Sequence, residues 1–277
     1  MASIITSLNT TQIAGLSTRS IAGFGTEDWA AFSSDQIAAL TTAQFAAIPA
    51  TSIFAINTSV IAAIETRDLR MLGAATVRAL TTDQLSVMTS DQLGSLTTTQ
   101  IASLTTAQIA SLSTDDLNAF TPTQFAALTS AQAGALTAAQ IAKLQTDDLA
   151  ALNVAAIKAF DSADIALLTT DHITALGTAQ INALTSSQVA GLSTDQIAKL
   201  DSADLRALSS GALRALTDAQ LGALGSDQIA SLSNAQVASL TTAQIAGLST
   251  DDLNALTSAQ FAALTSDQAG ALTAGQI

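Results

Sequence analysis

The chain has 277 residues, 48% of them hydrophobic but only 3% aromatic, no cysteine or tyrosine, and a formal net charge of −13. That charge sets it against nucleic acid and anionic lipid surfaces. The missing cysteines remove disulfides and thiolate metal sites, and the apolar content is too high for a disordered chain.

The start, Met1-Ala2-Ser3-Ile4-Ile5-Thr6, has neither the basic region nor the long apolar stretch of a secretory signal. No run of about 18 apolar residues is present to span a membrane. From here an eight-residue period governs the chain. Every multiple of eight is a large apolar residue (Leu8, Leu16, Phe24, Phe32, onward to Leu272), and so, with few exceptions such as Ala269, is the fifth position of each octad (Ile5, Ile13, Ile21, Trp29, through Ile277). No insertion or deletion breaks the register.

One continuous helix does not fit an octad. Eight residues advance about 800°, so the apolar stripe would rotate around the helix. A plain strand would send positions five and eight to opposite faces. A short helix in each octad does fit. In Leu104-Thr105-Thr106-Ala107-Gln108-Ile109, Thr105 and Gln108 form a capping box, while Leu104 and Ile109 form a hydrophobic staple. The first position of the octad is a good N-cap type throughout, except at Pro49, Glu65 and Gln145. Pro49 falls at a cap and Pro122 at a first helical position, where proline is tolerated. All 22 acidic residues occupy positions one to four, in the first turn. Arg70, Arg78, Lys143, Lys158, Lys199, Arg206 and Arg214 fall in the last turn, as the helix dipole favours.

Helices this short do not form alone, so each must be covered by neighbouring octads. The expected fold is an all-α solenoid of about 34 short helices of about six residues, one per octad, in a single array over 1-277. Small residues such as Ala110, Ala126, Gly134 and Ala135 allow close backbone approach. Two, three or about six octads per coil are all compatible with the pattern. The two apolar positions are expected to point inward and the Gln, Ser, Thr and Asp positions outward. On that view Gln180→Ala costs only a capping contact, about 1 kcal/mol or less. Residues 1-80 are the divergent part, for example Pro49-Ala50-Thr51-Ser52-Ile53-Phe54, and read as a cap or partner surface.

A second period of 136 residues lies above the octad. Asp28, Asp68 and Asp116 recur as Asp164, Asp204 and Asp252, and Arg70 and Arg78 as Arg206 and Arg214. This reads as an internal duplication of 1-136 and 137-272, or as equivalent faces of a superhelix returning after 17 octads.

Candidate functional residues are few. His172 is the single histidine and takes the place of the usual Gln, so it has no partner for zinc or acid–base chemistry. Trp29 reads as a core or end-cap residue, with ligand stacking as the sharper reading. The pairs Glu27-Asp28, Asp115-Asp116, Asp147-Asp148 and Asp251-Asp252 are explained by helix-start electrostatics as well as by calcium. The Thr rows, such as Thr41-Thr42, Thr97-Thr98 and Thr241-Thr242, read as caps, or as a face for ice or glycan. No catalytic, cofactor-binding or metal residue is assigned, and no cofactor is expected.

Octads such as Leu240-Thr241-Thr242-Ala243-Gln244-Ile245-Ala246 resemble the LTTAQIA-type repeats of large bacterial surface-associated or secreted proteins. The resemblance implies an extracellular or bacterial cell-surface, repeat-built role. The expected function is that of a non-enzymatic structural protein, a spacer, filament or surface-layer component that stacks end to end with itself. The alternative is an extracellular binding module, an adhesin or a glycan- or ice-binding surface, with cell-surface glycan or protein as partner. The chain stops mid-repeat at Gln276-Ile277, as expected of a piece of a longer array or of an end covered by a partner.

Overall fold

The computed structural model describes residues 3–277. Each octad carries one helical turn. Thirty-two are α-helices, from Thr10–Ala14 to Ser266–Gly270, and two are 3-10 turns, Ile4–Ser7 and Ile53–Ala55; no strand occurs among the described residues.

The local cause is the capping box. The Thr105 hydroxyl accepts from Gln108 N–H at 3.1 Å, and Gln108 Oε1 accepts from Thr105 N–H at 2.7 Å. The helix Thr106–Ser111 then ends at Leu112, whose backbone is extended (φ −63°, ψ 139°), as is that of the next cap, Ser113 (φ −64°, ψ 164°). Two extended residues thus redirect the chain here, as they do at Leu192-Ser193 and Leu248-Ser249. No described residue needs a positive φ, so the corners require neither glycine nor a left-handed cap.

Helices pack against those three octads away. Ser202–Ala207 contacts both Thr178–Ala183 and Ser226–Ser231, and Thr98–Ser103 contacts Ala74–Arg78 and Pro122–Ala126. A coil is therefore three octads, which settles what periodicity left open. From Ile5 to Leu253 position five is buried throughout and position eight almost completely, as in Ile109 (0% exposed) and Leu112 (4%), whereas Phe261 (44%) and Ile277 (91%) are exposed. The chain divides into two compact units, Met1–Leu144 and Gln145–Ile277, each built of such coils.

Close approach between coils occurs at glycines. A Cβ on Gly191 would lie 2.6 Å from the Ser162 carbonyl oxygen, and one on Gly94 would lie 3.1 Å from that of Ala119.

Two expectations fail. The glutamines do not point outward: Gln108, Gln132 and Gln244 are buried at 2–3% exposure. Nor does Pro49 cap a helix. Its octad forms only the 3-10 turn Ile53–Ala55, preceded by Ser52 at φ −133°, ψ −15°. Proline supplies no side-chain acceptor to start a helix there.

Candidate functional site: the glutamine slot and the corner grooves

The fourth position of the octad is the polar centre of the fold. Position eight follows the short helix and its carbonyl has no intrahelical donor, whereas the position-five carbonyl accepts from the position-eight N–H, as Ile101 O does from Leu104 N–H at 3.1 Å, and keeps a second lone pair; both face the next coil. The slot glutamine of that coil supplies them. Gln132 Nε2 donates to Ile101 O and to Leu104 O, both at 2.8 Å. Gln244 Nε2 donates to Leu213 O at 2.9 Å and Leu216 O at 3.0 Å. Every slot glutamine from Gln36 onward makes a bond of this kind, 28 to 31 residues back along the chain. One amide thus starts its own helix with its oxygen and clamps the preceding coil with its nitrogen. The outward assignment failed because capping accounts for only the oxygen.

Other residues fill the slot with less. Thr76 Oγ1 reaches Ile48 O at 3.0 Å and Ser52 Oγ reaches Phe24 O at 3.4 Å. His172 is buried at 4% exposure and its Nδ1 accepts from Thr169 N–H at 3.0 Å, as a glutamine oxygen does. Its ring nitrogen thus takes the capping role of the amide oxygen.

Aspartate keeps the acceptor and loses the donor. Asp68, Asp148, Asp204 and Asp252 are buried, at 1%, 4%, 8% and 8% exposure. Both carboxylate oxygens of Asp68 and one of Asp148 have no hydrogen-bond partner. Burial pushes the Asp148 carboxyl up to about 6, helped by the neighbouring Asp147 carboxylate. Burial likewise raises Asp204, with Asp201 adding repulsion, and raises Asp68 against the opposing charge of Arg67. Asp252 differs: hydroxyls of Ser249 (2.6 Å) and Ser226 (3.0 Å) donate to it.

The paired acids do not converge. Asp148 and Asp252 turn inward as slot residues while Asp147 and Asp251 are exposed. Among the described residues no three His, Cys, Asp or Glu side chains gather as a metal-holding group. Trp29 is fully buried, stacked on Phe32 (centroids 5.0 Å, 19° between planes) and edge-on to Phe24. It is core, and its ring is covered rather than offered to a ligand. The first-position hydroxyls Thr41, Thr97 and Thr241 are caps.

Open polar grooves lie at the corners of the coils, where sequence reasoning placed nothing. One of about 530 Å³ is bordered by Arg206, Leu232, Ser233, Asn234 and Thr257. Two of about 330 Å³ are bordered by Arg70, Leu96, Thr97, Thr98 and Thr121, and by Arg78, Leu104, Thr105, Thr106 and Thr129. Each holds one arginine and no acidic residue in its lining. The Arg70 and Arg206 grooves are the same construction in different units, 136 residues apart. The signal in the sequence was the recurrence of the arginines.

Among the described residues no helix is long and apolar enough to cross a membrane. A search of curated proteins found no match. The ALTTAQ repeat family matches the chain over residues 61–98, 109–146, 141–178, 173–201, 197–234 and 246–277. These segments cover most of the chain and carry the octad whose glutamine clamps one coil to another: the protein belongs to the ALTTAQ repeat family.

Proposed function

We propose that this chain is a non-enzymatic scaffold, a spacer or filament element that stacks with further copies of itself. The observation that carries this reading is the uniformity of the inter-coil seam. The same amide-to-carbonyl pairing, over the same apolar pair, repeats from coil to coil within each unit. A surface that is complementary to its own repeat also fits a coil of a second copy, and a head-to-tail contact of this kind propagates. An extracellular or bacterial cell-surface setting rests on the resemblance of the octads alone.

Light scattering over a concentration series, with electron microscopy of the same samples, tests the proposal. Mass and ordered polymer are expected to grow with concentration, and a polar capping helix appended after Ile277 to suppress growth. A monomer at every concentration contradicts it.

The arginine-edged grooves favour a second reading, an extracellular binding module for a glycan or protein surface. Hydroxyls and a single cation suit a polyol bearing one acidic group. Retention on a glycan array that is lost in Arg70→Ala/Arg206→Ala, with the fold intact, supports this reading over the first.

A further inference from the structure

Within the first unit the slot glutamines are missing from one whole coil. Residues 49–72 form three octads whose slots hold Ser52, Val60 and Asp68. None carries an amide. The one slot bond these octads make backward along the chain is Ser52 Oγ to Phe24 O, at 3.4 Å. Val60 has nothing to donate, and Asp68 buries two carboxylate oxygens without hydrogen-bond partners. The helix starts are weak as well: Ser52, Asn57 and Glu65 make no side-chain capping bond. Asn57 has instead turned away to donate to Ala30 O at 2.8 Å.

The other side of the same coil is complete. Gln84 donates to Ile53 O and Ile56 O, Gln92 to Ile61 O and Ile64 O, and Gln100 to Leu69 O and Leu72 O, at 2.7 to 3.1 Å. Coil 49–72 is thus clamped to coil 73–96 and its successor, while it meets coil 25–48 through the exposed Asn57–Ala30 bond and apolar contacts of residues such as Ile53, Ile61 and Leu69. Apolar packing is non-directional, whereas buried hydrogen bonds fix one arrangement.

We infer that the boundary between coils 25–48 and 49–72 is a built-in joint, the place where the stack of the first unit opens. Opening there breaks no slot amide; the side-chain bonds that cross it are Asn57 Nδ2 to Ala30 O and the hydroxyl bonds of Ser52 to Phe24 O and Thr76 to Ile48 O. Everywhere from Gln84 to Gln108 the same motion breaks two or more such bonds per octad.

Hydrogen–deuterium exchange on the full chain tests this. Helices Thr42–Ala46 and Thr58–Ile61 are expected to exchange at least about tenfold faster than Ser226–Ser231 and Asn234–Ser239, which lie comparably far from the other end of the sequence and so control for fraying. Val60→Gln/Asp68→Gln restores two clamps and is expected to slow exchange on both sides of the joint by about tenfold. The converse pair, Gln236→Leu/Gln244→Leu, is expected to speed exchange at Asn234–Ser239 by a similar factor. Rates in the wild-type chain that agree within about threefold overturn the inference. So does a folded Val60→Gln/Asp68→Gln chain with unchanged exchange, or a converse pair that accelerates nothing.

Discussion

Gln180 Nε2 donates to the Leu152 carbonyl at 2.8 Å while Gln180 Oε1 accepts from the backbone N–H of Gly177 at 2.8 Å. The amide also reaches Leu149 O and Ala150 O at 3.2 Å. Gln180→Ala therefore strands the buried Leu152 carbonyl as well as an N–H, and is expected to cost about 2–4 kcal/mol, well above a capping contact. Gln180→Glu keeps the acceptor and loses the donor, and is expected to cost at least as much at neutral pH. Urea unfolding of the two variants checks both. A loss below about 1 kcal/mol for Gln180→Ala removes the clamp from the account of stability.

Asp148 makes stability depend on pH. Its folded pKa of about 6 lies above the unfolded value of 3.8, so the folded state holds the proton more tightly. Stability is therefore greatest below the unfolded value, falls as pH rises through the folded one, and is flat above it. The loss is on the order of 2–3 kcal/mol. Asp148→Asn is expected to flatten this part of the profile, and the difference between wild-type and variant melts at about pH 4 and about pH 7 isolates it from Asp68 and Asp204.

Gly191 sits where coils touch most tightly: a Cβ added there would lie 2.6 Å from Ser162 O and 2.9 Å from Ser162 Cβ. Gly191→Val forces the backbone apart and is expected to cost about 1–3 kcal/mol. Gly247→Val, where nothing lies within 4 Å of the added Cβ, is expected to cost about 1 kcal/mol or less. Thermal melts that rank the two the other way contradict the packing.

Ile181 is fully buried at position five of its octad. Ile181→Asp places an unpaired charge in the interior and is expected to cost several kcal/mol, about 3–5. Circular dichroism of the variant is expected to show a lower midpoint and a loss of helical signal that begins before the main transition.

The helices, their starts and their apolar lining were legible because each is fixed within one octad. Thr105 and Gln108 are three residues apart, and Ile109 and Leu112 repeat without a break. The number of octads per coil was not legible, since positions five and eight turn inward for any number. The inter-coil role of glutamine was missed, although a signal was present. Glutamate serves a capping box as well as glutamine and suits a helix start better electrostatically, yet neither Glu27 nor Glu65 falls at position four. A slot filled mostly by Gln and by Glu nowhere favours a donor, and Asp68 and Asp148, which supply none, are the slot residues left with unpartnered oxygens. The 136-residue recurrence spans 17 octads, which three does not divide, so it is not a whole number of coils. We propose gene duplication as its origin.

Closing each coil only against its neighbours also sets how the molecule yields under load. Peeling one coil of three octads frees 24 residues, about 80 Å of contour length. A single chain stretched between two surfaces is expected to lengthen in equal increments of that size. The tension of each step would track the slot residues of the coil being peeled, and the coil at 49–72, whose slots hold no amide, would give way before its clamped neighbours.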